Sequence, residues 1–140
     1  MNRLFWGLIG VLVCSHAMAD EADFRCFRSA GPTSSLRLQF VIQTEKVGSG
    51  YVVTQKGSGP IPIKLLQEKE LNRGPGGRTS EVEAKWQEIT PDGRGGTYIV
   101  VSQGALISKF QYIRKNDGRS FSFKEDTDAV TDNGCSWNTK

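Results

Sequence analysis

The carboxylates of Glu81 and Glu83, two residues apart in "EVEAKW", are spaced to point the same way from a strand, where a pair of acids can flank a substrate. Val82, Ala84 and Trp86 take the other face. The two glutamates therefore fall on the wet side and have no apolar wall to raise either pKa. Asp126, Asp128 and Asp132, with Asn133, offer oxygen ligands of the kind calcium takes. Val130 stands where the third alternate ligand of a calcium loop belongs, so the segment reads as a solvated acidic tail. The stretches "GSG" and "GPGG" do not lie between a strand and the start of a helix, the setting a phosphate cradle needs, and read as turns.

His16 is the only histidine among 140 residues, and it lies in a segment with the features of a secretory leader. Arg3 supplies the positive start, "LFWGLIGVLVC" is an uncharged apolar run, and Ala17-Met18-Ala19 sets small residues where a signal peptidase requires them. The run is too short for a membrane span, and Val13 ahead of Cys14 argues against a lipoprotein signal. The expectation is a signal peptide over residues 1–19, a single disulfide-bonded β domain over 20–140 and a periplasmic or secreted location. Cleavage removes Cys14 and His16. Without imidazole, the familiar triads, Cys–His dyads and imidazole metal sites cannot be assembled. The mature chain is thus read as a non-enzyme with no metal and no cofactor. Cys26 and Cys135 remain, and in an exporting context they form one bridge.

Removal of Arg3 leaves 17 basic against 15 acidic residues. That near-balance lacks the concentrated basic excess of a nucleic-acid binder. The partner implied is another protein in the cell envelope, with no nucleic acid and no membrane span after signal cleavage.

Elements that must position any site are legible from period-two alternation. "FRCFR" opens the series, and Leu36, Leu38, Phe40 and Ile42 share one face of the next segment. "YVVTQK" and "IPIKLLQEKEL" follow, separated by glycine turns. The second of these is favoured as strand, with a short helix over 64–71 as its rival because "KLLQEKEL" consists of helix formers. Pro62 within it calls for an unpaired edge or a bulge. "EVEAKWQEI" comes next, and Ile89 breaks its parity, which suggests a bulge near Gln87–Glu88. "TYIVVSQ", "LISKFQYIRK" and "SFSFKED" complete the set, the last two joined by the hairpin signal "NDGR". Eight strand-like segments with short turns predict an all-β antiparallel meander, closed into a small barrel or a strongly curved sheet. A two-sheet β-sandwich is the alternative. A Cys26–Cys135 bridge would tie the first strand to the segment after the last.

In a strict meander alternate loops emerge at one end. Lys56, Arg94, Lys115 and Arg119 would then share a rim with the loop near Arg28, while Arg73 and Arg78 would occupy the opposite rim. Arginines on glycine-bearing loops suit contacts with carboxylates. The functional reading is a non-catalytic protein-binding module, an inhibitor or protective factor against an enzyme acting in the envelope. The plan of signal peptide, eight-stranded barrel and few cysteines, with the short "FRC" opening, resembles that of small periplasmic inhibitors of c-type lysozyme. The resemblance is one of plan. The alternative is a small-molecule or lipid binder whose barrel interior is lined by Phe40, Trp86, Tyr98, Phe110, Tyr112, Phe121 and Phe123.

Overall fold

Alternating apolar positions become the inner wall of a closed barrel. The computed structural model describes residues 22–31, 36–57 and 59–137; the expected signal peptide at 1–19 lies outside them. The barrel strands are β1 (Ala22–Ser29), β2 (Arg37–Gln43), β3 (Ser49–Thr54), β4 (Ile61–Asn72), β5 (Glu81–Glu88), β6 (Thr97–Gln103), β7 (Leu106–Ile113) and β8 (Ser120–Glu125). Each pairs antiparallel with the next, and β8 returns to β1 at Phe27↔Glu125, Arg28↔Lys124 and Ser29↔Phe123. Closure rules out the two-sheet sandwich. Residues 64–71 are strand throughout, because their cross-strand bonds to β5 override the helix propensity of "LLQEKEL".

Pro62 is paired on both sides, opposite Tyr51 of β3 and next to the end of β5, where its carbonyl accepts the Ile89 N–H at 2.7 Å. The expected free edge or bulge is therefore absent at Pro62. Its missing N–H falls where the β4–β5 ladder ends. The irregularities in that ladder lie instead between Leu65 and Gln67 and between Glu70 and Asn72, on β4. β5 pairs with β6 in unbroken register from Glu81↔Gln103 to Gln87↔Thr97, so the bulge expected near Gln87–Glu88 does not form.

The barrel's centre is filled by aromatic side chains. Phe27 stacks on Phe110 with ring centroids 3.9 Å apart, and Phe40 sets its edge against Trp86 at 5.7 Å and Phe110 at 5.3 Å. Phe123 meets Phe110 edge-on at 5.8 Å. Each such ring contributes roughly 1.5–3 kcal/mol by its burial alone. A cup opens at each mouth, with this plug between them.

After Glu125 the chain leaves the wall and crosses the outside. The Asp126 N–H donates to the Cys26 carbonyl at 2.7 Å, and a 3-10 turn at Thr127–Ala129 leads into β9 (Val130–Thr131) and β10 (Gly134–Cys135). Cys135 is disulfide-bonded to the fully buried Cys26, with Cα atoms 5.7 Å apart and a sequence separation of 109. The Cys135 N–H donates to the Gln39 side-chain carbonyl at 2.9 Å, and the Arg37 guanidinium and Gln55 amide both reach the Trp137 carbonyl. The tail is thereby strapped across the outer face of β1 to β3. Its departure leaves β1 without a strand partner over residues 22–26 on the β7 side. Arg25 spans that seam, donating to the Ala105 carbonyl at 3.0 Å and pairing with Glu125 at 2.8 Å.

Candidate functional site at the barrel mouth

Four loops surround the first mouth: β1–β2, β3–β4, β5–β6 and β7–β8. Lys56, Arg94, Lys115 and Arg119 all lie on them and are exposed, and Arg28 is exposed at the end of β1 toward the same mouth. The β5–β6 loop is held by its own polar groups. Asp92 accepts from the Thr90 hydroxyl at 2.8 Å and the Arg94 N–H at 3.0 Å, and the Gly95 N–H donates to the Thr90 hydroxyl. These bonds hold the exposed Asp92 carboxyl below the usual carboxylate range. Lys115 Nζ donates to the Gly93 carbonyl at 2.7 Å, which joins the β5–β6 loop to the β7–β8 loop.

The β7–β8 loop turns on Gly118, whose φ of 68° supplies the left-handed residue such a hairpin needs. Arg114 grips Asp117 through two nitrogens, and Asp117 also accepts the Arg119 N–H. Together these push the exposed Asp117 carboxyl down to about 2, and Asp117 in turn raises Arg114. The guanidinium groups of Arg114 and Arg119 both lie over the Phe121 ring, at 5.5 and 5.2 Å from its centroid. Arg114 belongs to this rim as much as the four expected cations do. It escaped notice in the sequence because it sits at the strand end and not in the turn.

Arg73 and Arg78 flank the Pro75–Gly77 turn at the opposite mouth, and Arg73 is spent on an exposed ion pair with Glu70 at 3.3 Å. They are thus remote from the cationic rim. Glu81 and Glu83 face outward, and Glu83 lies 4.0 Å from Lys69.

Inside the first mouth is a feature that reasoning from the sequence missed. Alternation along β5 runs on without a break, so Glu88 follows Val82, Ala84 and Trp86 inward while Ile89 is left exposed. Only 8% of Glu88 remains accessible. Its carboxylate accepts the Gly96 N–H at 3.3 Å and the Tyr112 hydroxyl, yet burial outweighs both bonds and moves the pKa upward. Tyr112 is pushed up to about 12 by its own burial and by Glu88; Tyr98, deeper in, is raised further for the same reasons. The two tyrosine rings lie 5.0 Å apart. Glu88, Tyr98, Tyr112, Leu38, Ile61 and Phe123 line a cup of about 230 Å³ open to solvent. The available sequence signal was "GG" at Gly95–Gly96. A Cβ on Gly95 would stand 2.6 Å from Glu88 Cβ, and one on Gly96 would stand 2.4 Å from the Tyr112 ring.

The second mouth holds a cavity of about 380 Å³ lined by Phe40, Ile42, Leu65, Trp86 and Ile107, with Arg25 and Glu68 also on its wall.

Among the described residues no group of three or more His, Cys, Asp or Glu could hold a metal, and no helix is long and apolar enough to cross a membrane. A bridge between residues so far apart in the chain fits an oxidising compartment. Comparison with protein-family models, curated proteins and solved structures found no match for the chain.

Proposed function

We propose that the domain is an exported, non-catalytic protein-binding module of the periplasm or the extracellular space. It meets an acidic surface of its partner with the cationic rim of the first mouth, and so inhibits that partner or shields its target. The observation that carries this reading is the Lys115–Gly93 hydrogen bond at 2.7 Å. It couples two loops that are each braced internally, so that Arg94, Lys115 and Arg119 are offered as one preorganised patch with Lys56 nearby on the same rim. Preorganisation lowers the ordering cost of association, and arginine is suited to bidentate pairing with carboxylates. The closed, disulfide-strapped barrel supports the same reading by giving the loops a rigid base.

The test uses the purified mature domain and an envelope protein recovered with it and then purified separately. Charge reversal at Arg94→Glu with Arg119→Glu should weaken the measured Kd at least tenfold, and added salt should weaken the wild-type complex. Affinity that is indifferent to both would overturn the rim assignment.

A second reading, a small-molecule or lipid binder, draws on the 380 Å³ cavity at the other mouth. Trp86 lines it, so its fluorescence should respond to fatty acids or other apolar metabolites if that cavity is used; a flat titration would exclude the reading.

A further inference from the structure

Glu88 is a buried acid without a counter-charge. The ion pairs among the described residues join Arg25 to Glu125, Lys69 to Glu83, Arg73 to Glu70 and Arg114 to Asp117, and none includes it. A carboxylate has about four acceptor positions, of which the Gly96 N–H and the Tyr112 hydroxyl occupy two. The remaining positions belong to a group that lines an open cup. We propose that this cup binds a small organic ammonium ion, an amine carried on a compact apolar or aromatic body, with its nitrogen at Glu88 and its body against Tyr98, Tyr112, Phe123, Leu38 and Ile61.

Three observations favour a cation over a neutral or anionic guest. A desolvated carboxylate is costly, and a ligand charge within hydrogen-bond range supplies the compensation that the protein withholds. Aromatic rings near the carboxylate attract cations through their faces, and the same mouth already uses one ring in this way, under Arg114 and Arg119. An anionic head would set a second negative charge beside Glu88. Of the two basic residues on the cup's wall, Arg37 is engaged by the Trp137 carbonyl and Lys56 is exposed, and neither forms an ion pair with Glu88. The cup's volume, below the range of drug-sized pockets, limits the guest to fragment size.

This inference does not rest on the protein-binding reading, and the two differ in their response to salt. Salt screens the repulsion between rim cations and an incoming ammonium ion, so ammonium affinity should hold or rise where a rim–protein contact would weaken.

The test compares three probes with one body: 2-phenylethylammonium, 2-phenylethanol and 3-phenylpropionate. Binding is followed by calorimetry and by the NMR shifts of the Tyr98 and Tyr112 ring protons. The ammonium probe should bind at least tenfold tighter than the alcohol, and the carboxylate should bind weakest. Glu88→Gln should reduce the ammonium probe to the affinity of the alcohol and leave the alcohol unchanged. Leu36→Trp, a change at an exposed residue of the cup's wall, should block the probes without touching the core and covers the case in which Glu88→Gln disturbs packing. The rim variant carrying Arg94→Glu and Arg119→Glu should bind the ammonium probe as well as wild type or better. Equal affinity for ammonium and alcohol, undiminished ammonium binding in Glu88→Gln, or tyrosine ring shifts that stay flat with every probe would each overturn the proposal.

Discussion

The ring of Tyr112 lies directly on the backbone of Gly96: a Cβ built there would stand 2.4 Å from Cε2 and 2.5 Å from both Cζ and the hydroxyl oxygen. That approach lets one glycine serve two roles, as a floor for the tyrosine ring and as an N–H donor to Glu88. Gly96→Ala should force the ring aside and destabilise the fold by about 1–3 kcal/mol, the usual cost of overpacking. Urea unfolding measures the loss, and the Tyr112 ring shifts in NMR report the displacement. A variant with wild-type stability and unmoved ring signals would show that the close packing is unimportant.

Strand identity was legible where side chains alternate and where glycine turns bound them, because a half-buried strand imposes both signals at once. Leu38, Phe40 and Ile42 face inward, as do Phe110 with Tyr112 and Phe121 with Phe123. The 64–71 segment was ambiguous because "KLLQEKEL" is locally helix-forming, and only the neighbouring β5 settles it. Glu88 was hidden by a different effect. Ile89 looks like the residue that should be buried, but β5 ends at Glu88, and past its end an apolar side chain is free to stay outside. The rule of alternation was right, and hydrophobicity at one position argued wrongly against it. The rim needed only loop parity, whereas the Lys115–Gly93 link and the Arg114–Asp117 grip depend on side-chain reach that spacing does not encode.

Removing the bridge should cost about 2–5 kcal/mol, since the bond closes a long loop of the unfolded chain. The double variant Cys26→Ala, Cys135→Ala is the suitable form, because it leaves no free thiol in the buried site. Denaturant midpoints give the magnitude. Hydrogen exchange should show deprotection concentrated in residues 126–137, with the β4–β7 ladders keeping their order of protection. Uniform deprotection of all strands would mean that the strap and the barrel unfold as one unit.

Glu88 makes stability depend on pH with a definite sign. Its folded pKa lies above the ordinary 4.5, so its favourable contribution is complete below that value and is lost as pH rises through the folded pKa. Asp92 and Asp117 act in the opposite direction: both are held low, and their contributions fade as pH falls from the ordinary 3.8 toward about 2 for Asp117. Both are retained in Glu88→Gln, so they cancel in a comparison with wild type. The stability of wild type relative to Glu88→Gln should therefore decline as pH increases above about 4.5, as read from urea midpoints across the acid-to-neutral range. A difference that is flat with pH would mean that Glu88 is solvated in solution.

Phe110 holds the plug together, in contact with the rings of Phe27, Phe40, Tyr98 and Phe123. Phe110→Ala should cost about 3–5 kcal/mol through lost burial and the cavity left behind. The geometry gives a second consequence, because the plug is what separates the 230 Å³ cup from the 380 Å³ cavity. With Phe110 truncated, a guest entering at Glu88 should become detectable at Trp86, which lines only the far side in the wild type. Quenching of Trp86 by acrylamide should rise in the variant, and the ammonium probe should shift Trp86 indole resonances that it leaves alone in wild type. If the neighbouring rings collapse into the space, stability will fall by less than 3 kcal/mol and Trp86 will stay shielded, and the two mouths will have been kept apart by the whole ring cluster and not by Phe110.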